Sequence, residues 1–252
     1  MNAPVSQTFL VTGAGFGLGR AVARAAVGAG HTVVGTVRRE EDRAGFEADG
    51  PGRAYLRVLD VTDERAVTHL VEEVERDIAP IDVLVSNPGY GHDGLIEESS
   101  MADLRRQFDV NVFGPVAVIK AVLPYLRARR HGHIIAVTSM GGVLTSPGLG
   151  FYTGGKYALQ GIMDTLGQEV AGLGIHVTAV EPGSFRIDWA GPPMVRAPRS
   201  IPDYDMLFEA AGAEPPTIGD PDKAGRAILE IAAAEQPPSH VLLGNILLAT
   251  ER

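Results

Sequence analysis

The sequence lacks several features that would point to particular classes of protein. It has no cysteine, which excludes disulfide bonds and thiolate chemistry. Acidic residues outnumber basic ones by 31 to 22, and the net charge of -9 argues against binding to nucleic acid or to an anionic membrane. No apolar run approaches the roughly 20 residues of a membrane span, and residues 1–7 lack the pattern of a signal peptide. We therefore expect a cytoplasmic globular protein.

The patterns that are present alternate between strands and helices. Apolar runs predict strands at residues 8–12, 31–37, 54–59, 81–85, 134–139, 175–180 and 241–243. Helical patterns fall at residues 20–29, 63–78, 101–130, 152–173 and 221–234, with Thr62 as the expected cap of the second helix and a kink expected at Gly114-Pro115. This alternation favours an α/β fold with one doubly wound parallel sheet of the Rossmann type, in a single domain over residues 1–252. The proline-rich residues 184–220 show little periodicity, and we predict that they form an irregular lid over a ligand site.

A glycine-rich turn follows the first predicted strand directly. Its glycines Gly13, Gly17 and Gly19 have the spacing G-x-x-x-G-x-G, and a helix follows them. Glycines let the backbone turn tightly and approach a pyrophosphate, and the amino terminus of a helix attracts negative charge. The turn therefore predicts a dinucleotide-binding site.

The end of the second strand indicates which dinucleotide is bound. An acidic residue at this point holds the 2′-hydroxyl of an adenosine ribose, but this sequence has Arg38-Arg39, which suits a 2′-phosphate. NADP is therefore the predicted cofactor, with NAD as the less favoured alternative. The other interpretation of Arg38 is a solvated charge cluster with the acidic residues that follow. Similarly, Asp60 either reaches the adenine or satisfies backbone donors in its own turn.

A tyrosine and a lysine one helical turn apart suggest proton transfer. Tyr152 and Lys156 share a helix face if residues 152–173 are helical. A phenol has a pKa of roughly 10, and a nearby ammonium group lowers it, so that the phenol can exchange a proton with a carbonyl or an alcohol. The chain has only three lysines, at 120, 156 and 223, which makes this one more informative. Ser139 ends the fifth strand at the same edge of the sheet, and Asn111 lies within a long helical pattern that disfavours asparagine.

The order of these motifs resembles that of the classical short-chain dehydrogenase/reductase family. The resemblance implies that Tyr152 is the general acid and base, and that Lys156 lowers its pKa and holds the nicotinamide ribose. It further implies that Ser139 orients the substrate oxygen and that Asn111 supports a water molecule linking the lysine to solvent. The cofactor contacts implied in this way are Thr12, Gly13, Gly15, Phe16, Gly17, Leu18, Gly19, Arg38, Asp60, Val61, Asn87, Gly89, Tyr152, Lys156, Pro182, Gly183 and Phe185.

The substrate cannot be identified from the sequence, but a mainly apolar pocket is expected. The residues that we assign to its wall are Tyr90, His92, Met140 and Trp189. The histidines have no spacing that resembles a metal motif with a third ligand, so no metal is predicted.

The leading hypothesis is an NADP-dependent oxidoreductase that interconverts a carbonyl compound and an alcohol. A second hypothesis keeps the fold and the tyrosine without net redox, as in an isomerase, dehydratase or cyclase. It is motivated by Pro88 and by Ile187, which stands where the family often has threonine. A third hypothesis is a non-enzymatic NADP-binding regulator. The resemblance also implies a homodimer or homotetramer.

Overall fold

The computed structural model of the protein describes residues 6–186, 194–209 and 218–244. Seven strands form one parallel sheet, and they are β1 Thr8–Val11, β2 Thr32–Val37, β3 Ala54–Val58, β4 Val83–Ser86, β6 Gly132–Val137, β7 Ile175–Pro182 and β9 His240–Leu243. Their order across the sheet is β3-β2-β1-β4-β6-β7-β9. Two short strands, β5 His92–Asp93 and β8 Val195–Arg196, pair separately in parallel. The predicted Rossmann-type parallel sheet is confirmed.

Helices connect the strands and cover both faces of the sheet. They are α1 Gly17–Gly28, α2 Arg43–Glu47, α3 Glu64–Glu73, α4 Met101–Phe108, α5 Gly114–Arg129, α6 Gly150–Val170, α7 Met206–Glu209 and α8 Pro221–Ala233. Residues Leu10 and Phe9 of β1 point to opposite faces, as the two-residue period of a strand requires. Leu10 belongs to a core with α3, α5 and α6, whereas Phe9 belongs to a core with α1 and α8.

One local prediction was wrong. The cap of α3 is Asp63 rather than Thr62, because the Asp63 carboxylate accepts hydrogen bonds from the backbone N–H groups of Arg65 and Ala66. The helix predicted over residues 101–130 contains a π-helical turn, Asp109–Phe113, between α4 and α5. This turn directly precedes Gly114, and the kink expected at Gly114-Pro115 stays a prediction.

Residues 101–129 also form the one described helix that is long and apolar enough to cross a membrane by length and composition. Inside the protein, 44% of its most apolar window is buried, and a core helix of a globular protein passes the same test.

The predicted lid contains some regular structure where it is described. Strand β8 pairs with β5, and a short 3-10 helix, Pro202–Tyr204, precedes α7. The lid function itself remains a prediction.

Candidate active site

The glycine turn between β1 and α1 forms a cradle for an anionic group. Gly13 and Gly17 have φ angles of 67° and 57°, in the left-handed region that favours glycine. Helix α1 begins at Gly17, and its N-cap Phe16 makes no side-chain hydrogen bond to the first turn. The turn therefore leaves the first backbone N–H groups of α1 without a side-chain cap, as an anion-binding helix terminus requires.

Asn87 holds this turn from the end of the neighbouring strand β4. Its backbone N–H donates to Thr12 Oγ1 at 3.0 Å, and its Nδ2 donates to the carbonyl oxygen of Gly13 at 3.2 Å. A Cβ atom at Gly19 would lie 2.3 Å from the Gly13 oxygen and 2.5 Å from Asn87 Nδ2. The close approach of the turn, α1 and Asn87 therefore depends on glycine at this position. Gly15 is half-buried and Leu18 is buried in the same turn.

The ends of β2 and β3 carry the residues predicted to contact adenosine. Arg38 is exposed directly after β2. The pKa of the Asp60 carboxyl is lowered, chiefly by hydrogen bonds from the backbone and side chain of Thr62 and to a smaller degree by the charge of Arg38. Asp60 thus satisfies donors in its own turn, which was one of the two interpretations, and it lies within the electrostatic reach of Arg38. Val61 is buried.

Tyr152 and Ser139 meet at the carboxyl edge of β6. Tyr152 lies in the first turn of α6, is 7% exposed and shares a hydrogen bond with the Ser139 side chain. The Ser139 oxygen also accepts the backbone N–H of Gly141 at 2.9 Å. A Cβ atom at Gly141 would lie 2.9 Å from the Tyr152 ring, so this glycine permits the contact. The sequence argument did not single out Gly141, although the Gly141-Gly142 pair directly after the strand is a visible signal.

Lys156 lies one turn further along α6 and is buried. Its Nζ donates to the carbonyl oxygen of Val137 at 3.0 Å and lies 5.8 Å from the centroid of the Tyr152 ring. Burial lowers the pKa of Lys156 to about 8. Burial also raises the pKa of Tyr152 to about 12, outweighing the opposite effect of the Ser139 hydrogen bond. The expected lowering of the tyrosine pKa is therefore not seen in this arrangement.

Asn111 lies in the π-helical turn and is completely buried. Its side chain forms hydrogen bonds with both backbone groups of Tyr90. Oδ1 accepts the Tyr90 N–H at 3.2 Å, and Nδ2 donates to the Tyr90 carbonyl oxygen at 3.0 Å. This pairing places the loop that follows β4 beside the lysine. A Cβ atom at Gly89 would lie 3.3 Å from Asn111 Oδ1 and 3.7 Å from Lys156 Nζ.

Three further predicted cofactor contacts lie at the end of β7 and directly after it. Pro182 ends β7, the N–H of Gly183 donates to the Leu243 carbonyl at 2.8 Å, and Phe185 forms a bridge with Gly219. These three therefore stand at the same edge of the sheet as Ser139.

Among the predicted substrate contacts, Tyr90 and Met140 are half-buried. His92 is 1% exposed and its ring stacks on Phe151 at 5.2 Å, so it offers little open surface. Both of its ring nitrogens lack a hydrogen-bond partner in the part of the chain that the structure describes. Trp189 and Ile187 lie outside the described residues. The described residues contain no cluster of metal-ligating side chains.

The strand order and the glycine cradle define a Rossmann-type fold that suits a dinucleotide. The tight turn that requires glycine at positions 13 and 19, and the uncapped start of α1, fit a pyrophosphate group. A family model described as short chain dehydrogenase matches residues 7–192. The chain therefore belongs to the short-chain dehydrogenase family.

Individual relatives support this assignment over most of the chain. The oxidoreductase BOA17 of Botryotinia fuckeliana is 34% identical over 249 residues, which cover 95% of this chain and 89% of that protein. The NADPH-dependent 3-dehydrocapnine reductase of Ornithobacterium rhinotracheale is 34% identical over 206 residues, covering 79% and 73% respectively. The crystal structure of a short-chain dehydrogenase from Streptomyces avermitilis is similar with a TM-score of 0.86 and 36% identity, over 97% of this chain and 90% of that one.

Proposed function

We propose that the protein is an NADP-dependent oxidoreductase that interconverts a ketone or aldehyde and the corresponding alcohol. Its membership of an oxidoreductase family supports the reaction class. The observation that carries the proposal is the hydrogen-bonded pair of Tyr152 and Ser139, which lies at the same edge of the sheet as the glycine cradle. Two hydroxyl groups that share a hydrogen bond can bind and protonate one carbonyl oxygen.

The nicotinamide supplies or accepts the hydride, and the protein supplies position and proton transfer. Ser139 donates a hydrogen bond to the substrate oxygen and orients it. Tyr152 is protonated at neutral pH, because its pKa is about 12, and it is therefore ready to donate a proton to a carbonyl oxygen that gains negative charge. Lys156 carries a positive charge below its pKa of about 8, and this charge favours the phenolate that forms.

The preference for NADP rests on Arg38 and on a similar protein. Arg38 is exposed at the end of β2, where it can pair with a 2′-phosphate. The 3-dehydrocapnine reductase, 34% identical to this chain, is named as NADPH-dependent. A hydrogen bond between an arginine and a phosphate is charge-assisted, and it is stronger than a hydrogen bond between neutral groups.

Mixing the pure protein with NADPH and a panel of ketones and aldehydes tests the proposal. Cofactor consumption, followed by its absorbance, is the expected result. Conversion of a substrate without consumption would support the isomerase, dehydratase or cyclase hypothesis instead. Binding of NADPH without any conversion would support a regulator.

A matched pair of tyrosine variants tests the proton donor. Tyr152→Phe removes one hydroxyl and keeps the ring, so turnover should fall by about 10²–10⁴-fold while NADPH affinity changes little. Tyr157→Phe is the control, because Tyr157 lies in the same helix but is exposed and donates its hydroxyl to the Val143 carbonyl. If Tyr152→Phe keeps nearly full turnover with chemistry rate-limiting, the proton donor lies elsewhere.

We also propose a homodimer or homotetramer in the cytoplasm. Exposed apolar side chains on the long helix support an assembly, since Met101 is 57% and Phe113 is 59% exposed. The face beside Phe113 includes a cavity of about 500 Å³ that α3 and α5 line together. The cytoplasmic location stays a prediction.

A further inference from the structure

The loop between β4 and β5 passes beside Lys156 but has few backbone partners of its own. Pro88 has no N–H group, and the loop is outside the ladder of the main sheet. Its described contacts come from its neighbours: Asn87 bonds Thr12, and the carbonyl oxygen of Gly91 accepts the N–H of Val195 at 2.9 Å. Side chains must therefore determine where its centre, at Tyr90, lies.

Two amide side chains one helical turn apart bond that centre. Gln107 Nε2 donates to the Tyr90 carbonyl oxygen at 3.1 Å, and Asn111 Nδ2 donates to the same oxygen at 3.0 Å. Gln107 lies near the end of α4 and Asn111 lies in the π-helical turn that follows, and residues four apart in a helix share one face. The Tyr90 carbonyl thus uses both of its acceptor positions on one helix face.

Gln107 is a costly choice if its role is only to fill space. The residue is completely buried, and its Oε1 has no hydrogen-bond partner among the described residues. Burying an acceptor without a partner is unfavourable, whereas an apolar side chain of similar length would fill the same volume without that penalty. What the amide adds is its bond to Tyr90.

That bond acts on the site through the neighbouring glycine. Gly89 precedes Tyr90 and lies so close to the lysine that a Cβ atom there would be 3.7 Å from Lys156 Nζ. We propose that Gln107 is a positioning residue, which together with Asn111 fixes the Tyr90 peptide and thereby the distance between the Gly89 backbone and Lys156. This inference rests on the proposed function only for its effect on turnover, because the position of the loop can be measured without any substrate.

Gln107→Met removes the donor and keeps an unbranched side chain of similar length. Amide hydrogen exchange of residues 87–93 should become faster, and kcat should fall about ten- to hundred-fold, the scale for a displacement of about 1 Å in an active site. NADPH affinity should weaken, as fluorescence titration would show. Gln160→Met is the matched control, because Gln160 is also a buried helical glutamine with an Oε1 that lacks a described partner, and its amide bonds His240 instead. In Gln160→Met, amide hydrogen exchange of residues 87–93 and kcat should both stay near wild-type values.

A glutamate variant gives a second, pH-dependent measurement. In Gln107→Glu the carboxyl group can donate to the Tyr90 oxygen only when it is protonated, whereas the ionised form repels that oxygen. The ratio of its kcat to that of the wild type should therefore rise as pH falls. If the role of Gln107 were purely structural, the methionine variants would have lower melting temperatures, and the kcat of Gln107→Glu would not recover as the pH falls.

The outcomes separate this inference from the proposed function. Faster exchange of the loop with a lower kcat supports positioning, and an unchanged kcat in Gln107→Met overturns it. If the wild type converts no carbonyl compound, the proposed function fails. The positioning role is then tested by amide hydrogen exchange of residues 87–93 and by NADPH affinity. Changes confined to Gln107→Met support positioning, and equal values in Gln107→Met and Gln160→Met overturn it.

Discussion

Replacing Lys156 by methionine should make the protein more stable and at the same time inactive. Lys156 is 4% exposed, and burial lowers the pKa of its ammonium group from 10.5 to about 8. This difference corresponds to about 3 kcal/mol of unfavourable free energy for carrying the charge in the folded state. The lost charge-assisted hydrogen bond to Val137 offsets about 1.5–3 kcal/mol of the gain. We therefore expect the free energy of unfolding at neutral pH to rise by about 0.5–2 kcal/mol.

The pH dependence distinguishes this charge effect from improved packing. Below about pH 8 the lysine is protonated in both the folded and the unfolded state, so the penalty is complete. Between about pH 8 and 10.5 the folded protein releases the proton and the unfolded chain keeps it, so the stability of the wild type rises with pH. Well above pH 10.5 both states are neutral, and the penalty disappears.

Urea unfolding of the wild type and Lys156→Met, near neutral pH and again near pH 10.5, measures this effect. The advantage of the variant should shrink at the higher pH. Activity with NADPH and any accepted carbonyl should be lost at both, because methionine can neither carry the charge nor donate a hydrogen bond. An advantage that is equal at both pH values, or a variant less stable than the wild type at neutral pH, would refute the reasoning.

Three further predictions concern the cofactor and the assembly. Arg38→Ala should weaken NADPH binding roughly ten- to hundred-fold and barely change NADH binding, since a charge-assisted contact contributes about 1.5–3 kcal/mol. Arg39→Ala is its control, because Arg39 pairs with Glu41 at 3.9 Å, and equal losses for both cofactors in Arg38→Ala would contradict the assignment. Gly19→Ala should abolish NADPH binding in a fluorescence titration, whereas Gly28→Ala in the same helix, where a Cβ atom meets nothing within 4 Å, should bind normally; normal binding by both would argue against the cradle. Sedimentation at micromolar concentration should find a dimer or tetramer, and a monomer would exclude the proposed assembly.

The fold and the outline of the site were predictable because they follow from order and period. Parallel strands share one carboxyl edge, so residues that follow successive strands, such as Asn87, Ser139 and Pro182, come together whatever the details of the loops. Glycine positions were also informative, because the Cβ clash at Gly19 is a property of the turn itself. The four-residue spacing placed Tyr152 and Lys156 on one helix face, and α6 begins only two residues earlier than expected.

The parts that could not be predicted depend on contacts distant in the sequence. The π-helical turn leaves no clear local signal beyond Asn111, and its bond partner Tyr90 lies 21 residues away. Gln107 reads as an ordinary helix former, and only the fold shows that it is buried beside the loop. The choice of Asp63 over Thr62 as a cap is a difference of one residue, which propensity does not resolve.

The same limit explains why the pKa of Tyr152 was expected to move in the wrong direction. The spacing of Tyr152 and Lys156 indicates a charge near a phenol. Burial, however, raises the pKa of the tyrosine and lowers that of the lysine, and the extent of burial depends on the whole fold. With Lys156 Nζ bonded to Val137 and 5.8 Å from the centre of the ring, burial dominates. A tyrosine that keeps its proton at neutral pH suits the reduction of a carbonyl, whereas alcohol oxidation requires the phenolate. A cation nearer the tyrosine oxygen would favour that phenolate. Lys156 Nζ also lies beside Gly89, where a Cβ atom would be 3.7 Å from it. In the proposed reaction, the loop position that Gln107 and Asn111 hold therefore shapes the surroundings of the lysine that assists proton transfer.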